Sequence, residues 1–142
     1  MLLPRPGIYL LNKKEWVYAR KGEIASFVLA RELRQKFGIE VLIKELSLNV
    51  PESGIILKQV TGRGEGTELP SEGFEIDIGN RRIVVTARDP RGLLYGAYCL
   101  SSLVEERDGR VELACGTIRD WPDLPVRGMC IEMLPPAVRD IR

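Results

Sequence analysis

The chain has 142 residues, 44% of them hydrophobic and 29% charged, a size and composition suited to one globular domain with a substantial core. Its 21 Lys/Arg and 20 Asp/Glu leave a net charge of +1 with the signs interleaved. That balance excludes the basic footprint of a nucleic-acid or membrane-surface binder. With 0 histidines, Ser-His and Cys-His nucleophile pairs and a histidine general base are excluded. The three cysteines, Cys99, Cys115 and Cys130, are too far apart for a C-x₂₋₄-C zinc motif and odd in number for a disulfide framework.

The N-terminal stretch MLLPRPGIYLL is broken by prolines and lacks the basic and long apolar regions of a signal peptide. No apolar run approaches the roughly 20 residues of a membrane helix. The expectation is a cytoplasmic protein that needs no cofactor or metal and meets neither nucleic acid nor membrane. Residues 7–11 (GIYLL) predict a short first strand. GEIASFVLARELRQKFG then predicts an amphipathic helix with Ile24, Val28, Leu29, Leu33 and Phe37 on its inner face and Gly38 at its C-terminal cap.

IEVLIKEL (39–46) and GIILKQV (54–60) predict strands, and TGRGEGTELPSEG between them and the next strand reads as a surface loop. Gly62, Gly64 and Gly66 in that loop lack the Gly-Lys-Ser/Thr ending and following helix of a phosphate-binding loop. Phe74, Ile76 and Ile78 alternate with Glu75 and Asp77, and Gly79-Asn80 turns the chain into Ile83-Val84-Val85 as a hairpin. The carboxylates Glu72, Glu75, Asp77, Glu105 and Glu106 read as ordinary surface charge.

Asp89-Pro90 is an N-cap followed by proline at the first helical position, opening a second helix whose buried stripe is Leu93, Ala97, Leu100 and Val104. Cys99 beside that stripe reads as a small core residue. Gly92 and Gly96, spaced i, i+4, predict close approach of the helix to a neighbour. VELACGTIRD (111–120) is the last clear strand, giving the order β-α-β-β-β-β-α-β. The expected fold is α+β, a mostly antiparallel or mixed sheet with two helices on one face.

After the stiff Trp121-Pro122 and Leu124-Pro125 corner, Val126–Ile131 reads as the start of a further strand with too little chain to complete it. Arg127 enters that strand. Its planar guanidinium suits hydroxyl or carboxylate recognition, or else lies exposed at the strand mouth.

Three stretches in order carry a family resemblance: Gly73-Phe74-Glu75-Ile76, Ile83-Val84-Val85-Thr86-Ala87 and Gly92-Leu93-Leu94-Tyr95-Gly96. With IRDWPDLPVRG they span about residues 69–131 and resemble the non-catalytic N-terminal domain of family 20 glycoside hydrolases, the β-N-acetylhexosaminidases. The resemblance implies an α+β auxiliary domain over 1–120, then a linker and the first-strand stub of a (β/α)₈ barrel over 121–142. Its implied role is to pack on and stabilise its own C-terminal catalytic barrel, through which it would meet a carbohydrate substrate.

In this family the substrate's acetamide oxygen is the nucleophile and an Asp-Glu pair on a later barrel strand assists, so the resemblance implies no catalytic residue in this chain. It implies one substrate-binding residue, Arg127, effective only in the full-length enzyme. Glu132 and Pro135 stand where the family usually has Asp and Arg. Two alternatives remain open. One is the equivalent domain of an α-glucuronidase-like or family 84-like glycosidase. The other is a free-standing carbohydrate-binding or interaction module offering Tyr95, Tyr98 and Trp121 to a sugar.

Overall fold

The computed structural model describes residues 1–60, 69–124 and 126–128. Gly62, Gly64, Gly66, Cys130, Glu132, Pro135 and most of the stub strand lie outside them. The described residues form ten elements: β1 (Leu2–Leu10), β2 (Lys14–Ala19), α1 (Ile24–Phe37), β3 (Glu40–Glu45), β4 (Gly54–Gln59), β5 (Phe74–Ile78), β6 (Arg82–Ala87), α2 (Pro90–Leu103), β7 (Glu105–Arg107) and β8 (Arg110–Asp120). They form an eight-stranded mixed sheet of order β1-β8-β5-β6-β4-β2-β3, with β7 paired to β8. The β1–β8, β8–β5 and β5–β6 pairs are antiparallel, whereas β6–β4, β4–β2 and β2–β3 are parallel.

Both helices lie on one face and against each other, α1 over β2 and β3, α2 over β4, β5 and β6. This is the expected α+β arrangement. Alternation explains it: Val17 and Ala19, Ile55 and Leu57, Phe74, Ile76 and Ile78, and Ile83, Val85 and Ala87 all point to the helix side and are buried. Leu29, Leu33, Leu93 and Leu100 close the core from above. Each such side chain stabilises the fold by roughly 1.5–3 kcal/mol.

The sequence-based expectations meet this structure unevenly. The stripe Leu93, Ala97, Leu100 and Val104 is buried as expected, Asp89 caps α2 by accepting from the Gly92 amide, and Gly38 takes the left-handed cap at φ 66°. The inner face of α1 agrees in part: Leu29 and Leu33 are buried and Phe37 packs against the core, but Ala25 and Ser26 complete the face while Ile24 and Phe27 point outward, 66% and 57% exposed. Ser26 tolerates burial because its hydroxyl donates to the Glu23 carbonyl at 2.6 Å.

Two strands were not anticipated. β2 hides its alternation, since Trp16 and Tyr18 face away from the helices and the charged Glu15 faces inward. Buried Glu15 accepts from the Tyr9 hydroxyl at 3.1 Å and from the amides of Asn12 and Trp16, both at 3.2 Å. Burial first, and the Glu15 carboxylate second, push the Tyr9 phenol well above its ordinary pKa. β7 is three exposed residues with no apolar signal, and Asp108-Gly109 turns it into β8 with φ of 50° and 72°.

β1 begins earlier than expected, at Leu2, because its prolines lie on a sheet edge that needs no donor from them. A register shift between Pro4 and Ile8 is held by Arg5, which pairs with Asp77 and donates to the carbonyls of Ile78 and Gly116, each at 3.2 Å. Among the described residues no helix is long and apolar enough to cross a membrane.

Candidate functional site at the exit of the domain

β8 delivers the chain to the N-terminal end of α2, and residues beyond it return over that helix. Gly73 makes the approach possible. A Cβ there would lie 3.2 Å from the Trp121 Cβ and 3.0 Å from the Pro70 carbonyl oxygen. On the other side, a Cβ on Gly92 would lie 2.4 Å from the Gly73 carbonyl oxygen, and one on Gly96 would lie 2.6 Å from Val85 Cγ1. The two helix glycines therefore do what their spacing predicts. They let α2 sit directly on the Glu72–Gly73 turn and on the sheet.

Glu72 is held in the left-handed region at φ 62°, unusual for a side-chain-bearing residue. Its amide donates to Asp89 Oδ2 at 2.7 Å, the same carboxylate whose Oδ1 accepts from Gly92 at 2.8 Å and whose Oδ2 accepts from the Ser71 hydroxyl at 3.2 Å. Burial works against the Asp89 charge, yet the Glu72 and Gly92 amides and the Ser71 hydroxyl outweigh it, and its pKa lies below the usual carboxylate value.

The Glu72 side chain then accepts from Arg91 Nη1 at 2.9 Å on Oε1 and from Arg127 Nη2 on Oε2. Arg91 foremost, against an opposing effect of burial and then with help from Arg127, holds Glu72 below its ordinary pKa. Arg127 lies over the Tyr95 ring, 5.8 Å from its centroid. Glu72, Phe74, Tyr95, Asp120, Trp121, Pro122 and Arg127 line a cleft of about 280 Å³.

The structure thus brings Arg127, Tyr95 and Trp121 together but leaves Tyr98 apart. Tyr98 lies further along α2, where its hydroxyl accepts from Arg31 at 3.4 Å. Glu72 is the residue that sequence reasoning passed over as surface charge. Its only signal was its place beside a glycine that opens a strand. Of the other carboxylates, Asp77 pairs with Arg5 and accepts from the Thr117 hydroxyl at 3.2 Å, and Glu105 pairs with Arg107. Among the described residues no three His, Cys, Asp or Glu side chains converge as a metal site.

The fold defines an α+β domain, a mixed sheet with two helices packed on one face. The family model for glycosyl hydrolase family 20, domain 2 matches residues 2–121, and the chain belongs to that family. No curated protein matches it.

Solved structures share the fold. An exo-β-N-acetylglucosaminidase from Vibrio harveyi is 15% identical with a TM-score of 0.67, over 87% of this chain and 18% of that one. A β-N-acetylhexosaminidase from Bacteroides fragilis is 23% identical with a TM-score of 0.65, over 87% and 23%. The N-acetyl-β-hexosaminidase of Streptomyces plicatus is 24% identical with a TM-score of 0.66, over 87% and 25%. The chain spans a quarter or less of each of these proteins.

Proposed function

We propose that this chain is the non-catalytic N-terminal domain of a β-N-acetylhexosaminidase-like glycosidase, packing on and stabilising a (β/α)₈ catalytic barrel. The observation that carries the reading is the outer face of the helix pair. Ile24, Phe27, Tyr95 and Tyr98 stand exposed on it, an apolar surface on the side of the sheet over which the chain leaves through Trp121 and Arg127. A barrel that follows Arg127 would meet this face first and cover it.

In the complete enzyme Arg127 would bind hydroxyls of the terminal sugar, and the carbohydrate would reach the protein through the barrel. The site of action would be the cytoplasm. Reading the frame beyond Arg142 and expressing the barrel with and without residues 1–120 tests this. The barrel alone should unfold at a lower temperature or become insoluble. A barrel equally stable and active without the domain would refute it.

A second reading is supported by the cleft between Tyr95 and Trp121, whose polar rim of Glu72, Asp120 and Arg127 suits a pyranose: a carbohydrate-binding module acting alone. Titration with chito-oligosaccharides, followed by tryptophan fluorescence, should saturate in the millimolar range or below if that reading holds. A flat titration would dismiss it.

A further inference from the structure

We infer that Glu72 is the positioning residue through which this domain sets the place of Arg127. The inference rests on the reading above for its consequence in catalysis, but its geometry belongs to this chain alone.

Three observations carry it. First, the Glu72 backbone is over-determined. Its left-handed φ of 62° is fixed by its own amide on Asp89, by the Gly73 amide on the Pro70 carbonyl at 3.0 Å, and by α2 lying against the Gly73 carbonyl with no room for a Cβ at Gly92. A strained residue held this firmly is characteristic of positions where geometry has been selected.

Second, the carboxylate is the sheltered member of its cluster. The Glu72 side chain is 16% exposed, while Arg91 and Arg127 are 77% and 42% exposed. The acid is therefore part of the platform, and the two arginines come to it from outside. Third, Arg91 and Tyr95 are i, i+4 on α2, so one helix face supplies both the second cation on Glu72 and the ring beneath Arg127. Glu72 takes Arg127 by Nη2. A guanidinium has a second edge, which stays suited to paired hydroxyls.

Arg127-Gly128 is a tryptic site, and trypsin must draw the arginine off Glu72 to cut there. In the 142-residue chain, cleavage after Arg127 is measured by mass spectrometry relative to cleavage after Lys21, which is exposed in the turn before α1. Glu72→Gln should accelerate relative cleavage at Arg127 about three- to five-fold, the factor an ion pair of this exposure commands. Glu72→Asp, which keeps the charge with a shorter reach, should fall between the two and serves if the Gln variant does not fold. Arg91→Gln, which leaves the Glu72–Arg127 pair in place, should change it little. Equal cleavage in wild type and both Glu72 variants would overturn the inference.

In the barrel-bearing parent, Glu72→Gln should raise KM for an aryl N-acetyl-β-hexosaminide about three- to five-fold with kcat nearly unchanged, as expected when a binding group loses its fixed place. A parent in which Arg127→Gln raises KM and Glu72→Gln does not would overturn the inference and leave the proposed function standing. A parent inactive on such substrates would refute the proposed function instead, and the proteolysis result would still decide the role of Glu72.

Discussion

Replacing Gly92 by alanine sets two effects of known size against each other. A Cβ at this position would lie 2.4 Å from the Gly73 carbonyl oxygen and 3.1 Å from the Glu72 and Gly73 carbonyl carbons, all of them backbone atoms. No side chain can rotate away, so α2 or the Glu72–Gly73 turn must move. Overpacking of this kind costs up to about 3 kcal/mol. Alanine recovers at most about 1 kcal/mol as a better helix former. The net loss is about 2 kcal/mol.

At roughly 2.1 cal/mol/K per residue, the unfolding entropy of a chain this size is about 0.3 kcal/mol/K, so Tm should fall by about 7 °C. Thermal unfolding by circular dichroism measures it. Gly96→Ala is the internal comparison: its Cβ meets side-chain rather than backbone atoms, Val85 Cγ1 at 2.6 Å and Phe74 Cβ and Cγ at 3.3 Å, so the backbone need not move as far and its loss should be smaller. A Gly92→Ala protein that melts at or above the wild-type temperature would refute the claim that backbone contact, rather than helix propensity, governs this position.

Asp89→Ala should cost about 1–2 kcal/mol, the value of a lost N-cap, with Asn recovering more than half because it still accepts from the Gly92 amide. Glu72 and Asp89 both have folded-state pKa values below their ordinary ones. Their contribution is therefore complete above the unfolded carboxylate range and is lost as pH falls through the folded values. Acid melting curves should show this, with a smaller acid-induced drop in Glu72→Gln. Leu29→Ala should destabilise by about 2–5 kcal/mol as a fully buried leucine. Phe27→Ala, two positions away but outward-facing, should stay within about 0.5 kcal/mol in this chain; chemical denaturation separates the pair.

What could be read from the residues follows from where local and tertiary signals agree. Between Phe74 and Val104 they coincide: alternation, an N-cap, a helix-period stripe and two packing glycines specify the observed hairpin and α2, although the turn falls one residue later than Gly79-Asn80, at Asn80-Arg81 between the paired Gly79 and Arg82. β2 was illegible because its exposed face carries Trp16 and Tyr18 while its buried face carries Glu15. That inversion makes sense only once the Tyr9 hydroxyl is known to meet the Glu15 carboxylate. The inner face of α1 was misplaced at its start because hydrophobicity marked Ile24, and tertiary packing instead chose the smaller Ala25 and Ser26 beside Leu29 and Leu33, leaving Ile24 and Phe27 outside. At the site, Arg127, Tyr95 and Trp121 were visible as residue types, but no local pattern joins Glu72 to Arg127 across 55 positions.

The most direct test of the account is side-chain footprinting by hydroxyl radicals on this chain and on the proposed parent, in which a barrel would follow it. Phe27 and Tyr98 on the helix face should react readily in the isolated chain and become protected in the parent, while Trp16, on the opposite face of the sheet, stays reactive in both. Protection of Trp16 with Phe27 and Tyr98 left unchanged would place the barrel on the wrong side of the sheet and contradict it.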